Sequence, residues 1–295
     1  MTKLVTPRCG DAAQAFLDAN PEVASIHVVW TDMCGVQRGK YLRRDELVPA
    51  WRDGRFFPIS ALVLDMTGQD VPETGLVWDE GDRDLVLWPV QGSLVQVPWS
   101  GEPSAQYIAH IRDADGSLHY ADPRNLLARM NDRYRELGLT PVGAVELEFF
   151  LMDREAALSG KPVAPKSLTT GARPDQYQAY HLQDLADFSP FFRDLYAFAA
   201  VQDLPAKTLI SEYAPGQMEI VLRHRADILK AADDAIMLKR AIKATAERHG
   251  LVATFMAKPY AQWTGCGMHV HVSLADQAGR NVFAAGDPNS NALLH

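Results

Sequence analysis

The chain has 295 residues, enough for one large domain or two smaller ones with a substantial core. At 47% hydrophobic and 22% charged it has the composition of an ordinary soluble globular protein, which sets aside disordered and membrane-embedded classes. A formal net charge of -8 excludes a general nucleic-acid binder. The densest basic spot, Arg223-His224-Arg225, reads as a solvated or phosphate-facing patch. Three cysteines, Cys9, Cys34 and Cys266, lack any CxxC spacing and read as free thiols of a reducing cytoplasm, with no structural zinc site. The first residues carry no apolar signal core and no stretch approaches a membrane span, so the expected location is cytoplasmic.

In chain order, residues 11 to 120 are expected to hold mainly short strands and loops. Ile26 to Trp30 reads as a strand, followed by a turn at Asp32 to Gly35 and a polar return strand toward Tyr41. Ala61 to Asp65 and Leu85 to Trp88 read as further strands, the second stopped by Pro89. Prolines and glycines between Pro72 and Pro103 mark loops. Beyond Asp122-Pro123 the pattern changes to alternating helix and strand. Asp122 is the expected N-cap of a helix closed by Gly138, with Leu126, Leu127, Met130, Tyr134 and Leu137 as its apolar stripe. Residues 153 to 187 form a long, poorly periodic insertion, more often a functional loop than filler. Ser189-Pro190 caps a second helix running to about Leu204. A third is expected from about Ala226 to His249, with Ile228, Leu229, Ala232, Ile236, Ile242 and Thr245 on one face. A strand from Leu251 to Met256 follows. The sequence stops at His295 inside a helix-starting segment, Asn289 to Leu294, and a truncated domain is expected.

Three segments place acids and imidazoles on single faces of strands expected to be buried. Side chains two apart in a strand point the same way. In Val145-Glu146-Leu147-Glu148-Phe149-Phe150, the two glutamates therefore oppose Val145, Leu147 and Phe149. In Gly267-Met268-His269-Val270-His271-Val272-Ser273, His269, His271 and Ser273 oppose Met268, Val270 and Val272. Glu212 and Glu219 flank a turn on Pro215-Gly216. Taken singly, each is compatible with a solvated strand face or an ordinary turn. Together, four glutamates and a histidine on one sheet face repel each other unless protonated or neutralised by cations. Carboxylates with one imidazole suit Mg²⁺ or Mn²⁺ better than zinc, and two such ions are the usual equipment of phosphoryl transfer. No GxxxxGK[ST] loop is present, so any nucleotide is held without a P-loop. Gly265-Cys266-Gly267 is too short for a phosphate cradle, and its glycines permit close backbone approach to a ligand.

These segments, in this order and together with Ala253-Thr254-Phe255-Met256-Ala257-Lys258-Pro259, resemble the signatures of the glutamine synthetase family. Residues 26 to 90 also look like that family's small β-grasp domain. The resemblance implies an α+β fold: a β-grasp N-terminal domain over residues 1–120, then a catalytic domain over 121–295. The latter is an antiparallel-rich sheet with flanking helices, incomplete at its C-terminal end. It implies an ATP-dependent ligase that joins the γ-carboxylate of glutamate to an amine through γ-glutamyl phosphate. Glu148, Glu212 and Glu219 would hold one Mg²⁺ or Mn²⁺, and Glu146 and His269 the other. His271 and Ser273 would face ATP, and Gly265 would contact glutamate through its backbone. Asp65 and Glu212 stand as the catalytic candidates. The partners implied are small-molecule substrates and copies of the same chain in a double ring with active sites between subunits, with neither nucleic acid nor membrane.

This sequence departs from the family pattern at three places. Asp65-Met66-Thr67-Gly68-Gln69-Asp70 stands where the family usually has Asp-Gly-Ser-Ser, and resembles the branch that makes γ-glutamyl-polyamines or related amides. Thr264 and Cys266 replace the usual Asn and Ser. The family's later portion, with a further metal-binding Glu and the phosphate-clamping arginines, is absent. Putrescine or a similar amine is therefore the expected acceptor. Glutamine synthetase proper using ammonia, and a fragment or paralogue that binds metal-nucleotide without turnover, are the alternatives. A generic metal-dependent hydrolase would need a water-activating base that no residue outside the acidic cluster supplies.

Overall fold

The computed structural model describes residues 10–79 and 81–284. Cys9, the first residues and the Asn289 to Leu294 segment lie outside them. The fold is α+β and divides into two compact units, one ending at Met130 and the other beginning at Asn131. Among the described residues no helix is long and apolar enough to cross a membrane.

The first unit contains α1 (Asp11–Ala19), β1 (Ser25–Thr31), β2 (Gln37–Arg43), α2 (Leu47–Asp53), β3 (Arg55–Pro58), β4 (Asp84–Pro89), β5 (Val95–Gln96) and β6 (Ser104–Arg112). Its sheet runs β2-β1-β6-β4-β3, with β5 also on β6. The β1–β6 pair is parallel and the other pairs are antiparallel. The strands expected around Ile26 to Trp30, toward Tyr41 and at Leu85 to Trp88 form as β1, β2 and β4. Two helices were not expected. Both bury residues at helical spacing, Ala13 and Leu17 in α1, and Leu47, Ala50 and Trp51 in α2. The strand expected over Ala61 to Asp65 is instead a tight helical turn at Ile59–Leu62. Ile59, Leu62 and Val63 all enter the core, and strand alternation would expel one of the adjacent pair.

Helix α3 (Pro123–Glu136) begins as expected. Asp122 accepts from the Arg124 amide at 2.8 Å and from the Ile111 amide of β6 at 2.7 Å. The expected stripe does not form, because Leu126, Met130 and Leu137 are exposed. The buried positions of α3 are instead Asn125 and Asn131, and Asn125 Nδ2 donates to the carbonyls of Ile111 and His119.

The second unit contains β7 (Thr140–Asp153), α4 (Arg154–Leu158), α5 (Leu182–Asp187), α6 (Ser189–Val201), β8 (Ala206–Ser211), β9 (Gln217–Leu222), α7 (Ile228–Arg248), β10 (Leu251–Thr254) and β11 (Met268–Ala275). Strand β7 is central. It pairs antiparallel with β9 on one edge, and with β10 and β11 in tandem on the other. The apolar side of this sheet buries Leu147, Phe149, Leu151, Met218, Ile220 and Leu222. Each such side chain contributes roughly 1.5–3 kcal/mol. Helix α7 packs on β7 and β10, and α6 packs on α7.

Pro190 lies in the first turn of α6, but the N-cap is Phe188 and the helix ends at Val201, short of the expected Leu204. Asp227 caps α7, accepting from the amides of Leu229 and Lys230. The buried face of α7 is rotated from the expected one: Ala231, Ala235, Leu238, Ala241, Ile242 and Thr245 lie inside, and Ile228, Leu229, Ala232 and Ile236 at its margin. Two contacts account for this. Asp234, 1% exposed, turns inward to Arg225 and Lys230. Gly143 of β7 lets Ile228 and Ala231 lie against bare backbone, and a Cβ there would fall 2.4 Å from Ile228 Cδ1. Arg225 is thereby a structural residue, with Nη2 also on the Asp203 carbonyl, which corrects its reading as part of a solvated patch.

Asp122→Ala is expected to cost about 1–3 kcal/mol, because it removes a helix cap and leaves the buried Ile111 amide unpaired. Urea denaturation measures it. Asp122→Asn, which retains an acceptor, is expected to lose less.

Candidate metal centre

The register of β7 builds the polar face. Glu146 lies opposite His269 of β11 on one side and Val221 of β9 on the other. Glu148 lies opposite Glu219 of β9. Directly opposed residues of antiparallel strands have Cβ atoms roughly 4.5–5.5 Å apart, so backbone pairing alone forces these acids together. One ligand atom from each of Glu146, Glu219 and His269 falls within 4.8 Å of the others. The Glu146 carboxylate lies between two imidazoles, with Oε2 3.4 Å from His269 Nδ1 and Oε1 3.1 Å from His271 Nε2.

Glu212 joins from the β8–β9 turn. Its amide donates to the Gln217 carbonyl at 2.9 Å, and the turn closes through Gln217 N–H to the Ala214 carbonyl. Gly216 makes this turn possible. Its φ is +78°, and an added Cβ would meet the Leu151 carbonyl at 2.8 Å.

The electrostatics fit a cation site. Glu219 is 6% exposed. Burial, then the charges of Glu146, Glu212 and Glu148, push its carboxyl up to about 7, with His269 opposing. Burial and the Glu148 charge raise Glu212 in the same way. Carboxylates gathered against their own repulsion, with one imidazole, are a hard donor set for Mg²⁺ or Mn²⁺. The nearby Cys266 thiol is pushed up to about 12 by burial and by Glu148 and Glu212, so it stays protonated and offers no soft ligand.

Ser273 lies on β11 opposite Val142, and His271 opposite Ala144. Strand β11 departs from the expectation of a buried strand. Met268, Val270 and Val272 are 61%, 55% and 53% exposed, because β11 pairs only with β7 and described residues cover it only toward its end, where Leu274 is buried. The glycines of Gly265-Cys266-Gly267 have protein neighbours. A Cβ on Gly265 would lie 2.6 Å from the Ala257 carbonyl, and one on Gly267 2.8 Å from Glu148 Oε1. The Cα positions of both glycines are thus packed closely against the protein itself.

Asp65 belongs to the first unit. Its Oδ1 accepts from the Thr67 amide and hydroxyl, each at 2.7 Å, and from the Gln69 amide at 3.0 Å. These bonds hold its carboxyl below the usual carboxylate range. One residue beside the acidic cluster was not singled out in the sequence. Gln217 lies two positions from Glu219 on the same strand face. The period-two spacing of Gln217 with Glu219 was the available signal.

A family model described as the glutamine synthetase catalytic domain matches residues 120–295. The chain is 37% identical over 279 residues to the gamma-glutamylputrescine synthetase PuuA of Escherichia coli (strain K12), covering 95% of this chain and 59% of that protein. It is 34% identical over 267 residues to a glutamate–isopropylamine ligase of Pseudomonas sp, covering 89% and 56%. Against the glutamine synthetase of Thermotoga maritima it is 32% identical over 254 residues, covering 85% and 53%. Among solved structures, a GmaS/ADP complex aligns with a TM-score of 0.78 at 26% identity, over 92% of this chain and 58% of that one. The chain thus spans a little over half the length of the relatives it matches.

The raised Glu219 carboxyl predicts a pH dependence. Its folded value of about 7 exceeds the ordinary 4.5, so the folded state binds the proton more tightly than the unfolded chain. That stabilisation is complete below pH 4.5 and is lost as pH rises through about 7. Thermal melting of metal-free protein is expected to show this decline, and Glu219→Gln to flatten it.

Proposed function

The chain belongs to the glutamine synthetase family, and on that premise we propose that the protein is an ATP-dependent ligase joining the γ-carboxylate of glutamate to a primary amine. The observation that carries this reading is the meeting of Glu146, Glu219 and His269 ligand atoms, with the carboxyl of Glu219 itself pushed up to about 7. Glu148, Glu212 and Glu219 are assigned to one divalent cation, and Glu146 and His269 to a second. Glu219, whose ligand atom lies with those of Glu146 and His269, joins the two sets. Bound there, Mg²⁺ or Mn²⁺ would neutralise charge on the phosphoryl oxygens.

The other assignments follow from position. His271 and Ser273, in line on β11 beyond His269, face the nucleotide. Gly265 presents its backbone to glutamate. A γ-carboxylate oxygen attacks the terminal phosphorus of ATP and ADP leaves; the ammonium gives one proton to water, the freed amine lone pair attacks the acyl carbon, and phosphate leaves carrying the nitrogen's surplus proton. Asp65 is the anchor for the amine's ammonium form. Its Oδ1 is occupied within the loop and its pKa is depressed, which suits electrostatic binding of a cation better than removal of a proton. A larger amine than ammonia is supported by the Asp-Met-Thr-Gly-Gln-Asp loop and by the similarity to the putrescine and isopropylamine ligases. The reading includes a cytoplasmic location, with Cys34 and Cys266 as free thiols, and a double ring of subunits whose active sites are shared between neighbours.

An ATP-coupled assay with glutamate and a panel of amines tests the reaction. Turnover with putrescine or a related primary amine above that with ammonia is expected. Activity with ammonia alone would instead favour glutamine synthetase proper, and no turnover with any acceptor would favour a non-catalytic paralogue. Glu148→Ala and Glu212→Ala are each expected to weaken Mn²⁺ binding by at least about 10-fold. Unchanged calorimetric titrations in both variants would remove them from the metal centre.

A further inference from the structure

Gln217 is the first residue of β9, 1% exposed, and faces the same side of the sheet as Glu148 and Glu219. All the hydrogen-bonding capacity of its side-chain amide is used. Nε2 donates to Glu148 Oε2 at 3.1 Å and to the Gly265 carbonyl at 2.9 Å. Oε1 accepts from the Ala214 amide at 3.3 Å and from the Thr264 hydroxyl at 2.6 Å. An amide has two donors and two acceptor lone pairs, so none remains.

The orientation of this amide is decided by its surroundings. A flipped amide would set its oxygen against a carboxylate and a carbonyl, both acceptors, and its NH₂ against the Ala214 N–H, a donor. Thr264 adds a second donor on the oxygen side. One side chain therefore touches four places: the central strand through Glu148, the β8–β9 turn through Ala214, and the glycine segment at both Thr264 and Gly265. On the far side of Glu148, Gly267 comes so close to Oε1 that a Cβ would lie 2.8 Å away. The carboxylate is held between the Gln217 amide and the Gly267 backbone.

We propose that Gln217, locked by Thr264, is a positioning residue that couples the metal centre to the glutamate subsite. By holding Oε2 of Glu148 it sets which carboxylate edge is presented to the cation, and by holding the Gly265 carbonyl it sets the backbone that receives glutamate. This inference rests on the assignment of Glu148 and Gly265 made above. A glutamine that merely filled space would need no such pattern of bonds. A buried amide joining a metal-ligand candidate to a substrate-binding loop transmits a displacement at either one to the other.

The test uses Gln217→Met, of similar length and without polar groups, and the pair Thr264→Val and Thr264→Ser. Mn²⁺ affinity is measured by calorimetry, and KM for glutamate and kcat by the coupled assay. Gln217→Met is expected to weaken Mn²⁺ binding roughly 10- to 100-fold, the usual effect of losing an outer-shell partner, and to raise the glutamate KM by more than it lowers kcat. Thr264→Val shifts both in the same direction by a smaller factor, and Thr264→Ser, which restores the hydroxyl, returns them toward wild type. If Gln217→Met does not fold, the Thr264 pair carries the test alone. Wild-type protein that binds no Mn²⁺ overturns the metal-centre assignment and this inference with it. Wild-type binding that the folded variants reproduce, with an unchanged glutamate KM, overturns the positioning role alone.

Discussion

Backbone pairing on both edges of β7 is the constraint from which the rest of the site follows. With β9 on one side and β11 on the other, Glu146 and Glu148 are held beside Glu219 and His269 with no freedom to separate. In water these carboxylates would part by a few ångströms and remain ionised. Here their separation is set by strand spacing, and the repulsion appears as a Glu219 carboxyl pushed up to about 7. The apolar side of the same strands supplies the compensating stability, with Leu147, Phe149, Met218 and Ile220 buried beneath the helices. A sheet face that is costly when empty becomes favourable once a cation is bound, the usual linkage between folding and metal affinity.

Small and polar residues do as much to shape the site as its charged ones. Gly143 admits α7 to the sheet, Gly216 turns the chain from Glu212 back to Gln217, and Gly267 lets backbone lie against Glu148. The Gln217 amide joins strand, turn and glycine segment through four hydrogen bonds. Each of these residues contributes geometry, and the acids contribute charge. This division fits a centre that must hold its shape whether or not a cation occupies it.

The helices show where reading from sequence loses accuracy. The start of α3 was legible because Asp122 and Pro123 are local signals, as was the stop at Gly138. Its buried face was not, since Asn125 turns inward to bond two carbonyls of the segment that precedes the helix, Ile111 and His119. The same holds for α7, whose face is rotated by the inward Asp234 and its ion pairs. Hydrophobicity patterns register apolar burial and carry no information about a buried polar group satisfied by a partner elsewhere. The turn at Ile59–Leu62 failed for a related reason: an apolar run of that length serves equally as a strand or as a tight turn packed on all sides.

The sequence by itself determined the alternating faces of β7 and β11 and the identity of the acids and imidazoles, because strand periodicity is a local property of the backbone; the α+β class came with the resemblance to the glutamine synthetase family. Tertiary structure alone decided which of those groups meet. The pairing register set Glu146 by His269 and Glu148 by Glu219. Burial and mutual charge raised the Glu219 carboxyl, and the carbonyls and donors around Gln217 fixed the direction of its amide. Among the described residues it also left the first five residues of β11 exposed, contrary to what its valines suggest. Distances between residues remote in sequence, and the solvent each one loses, come from the packing of whole elements; no local pattern encodes them.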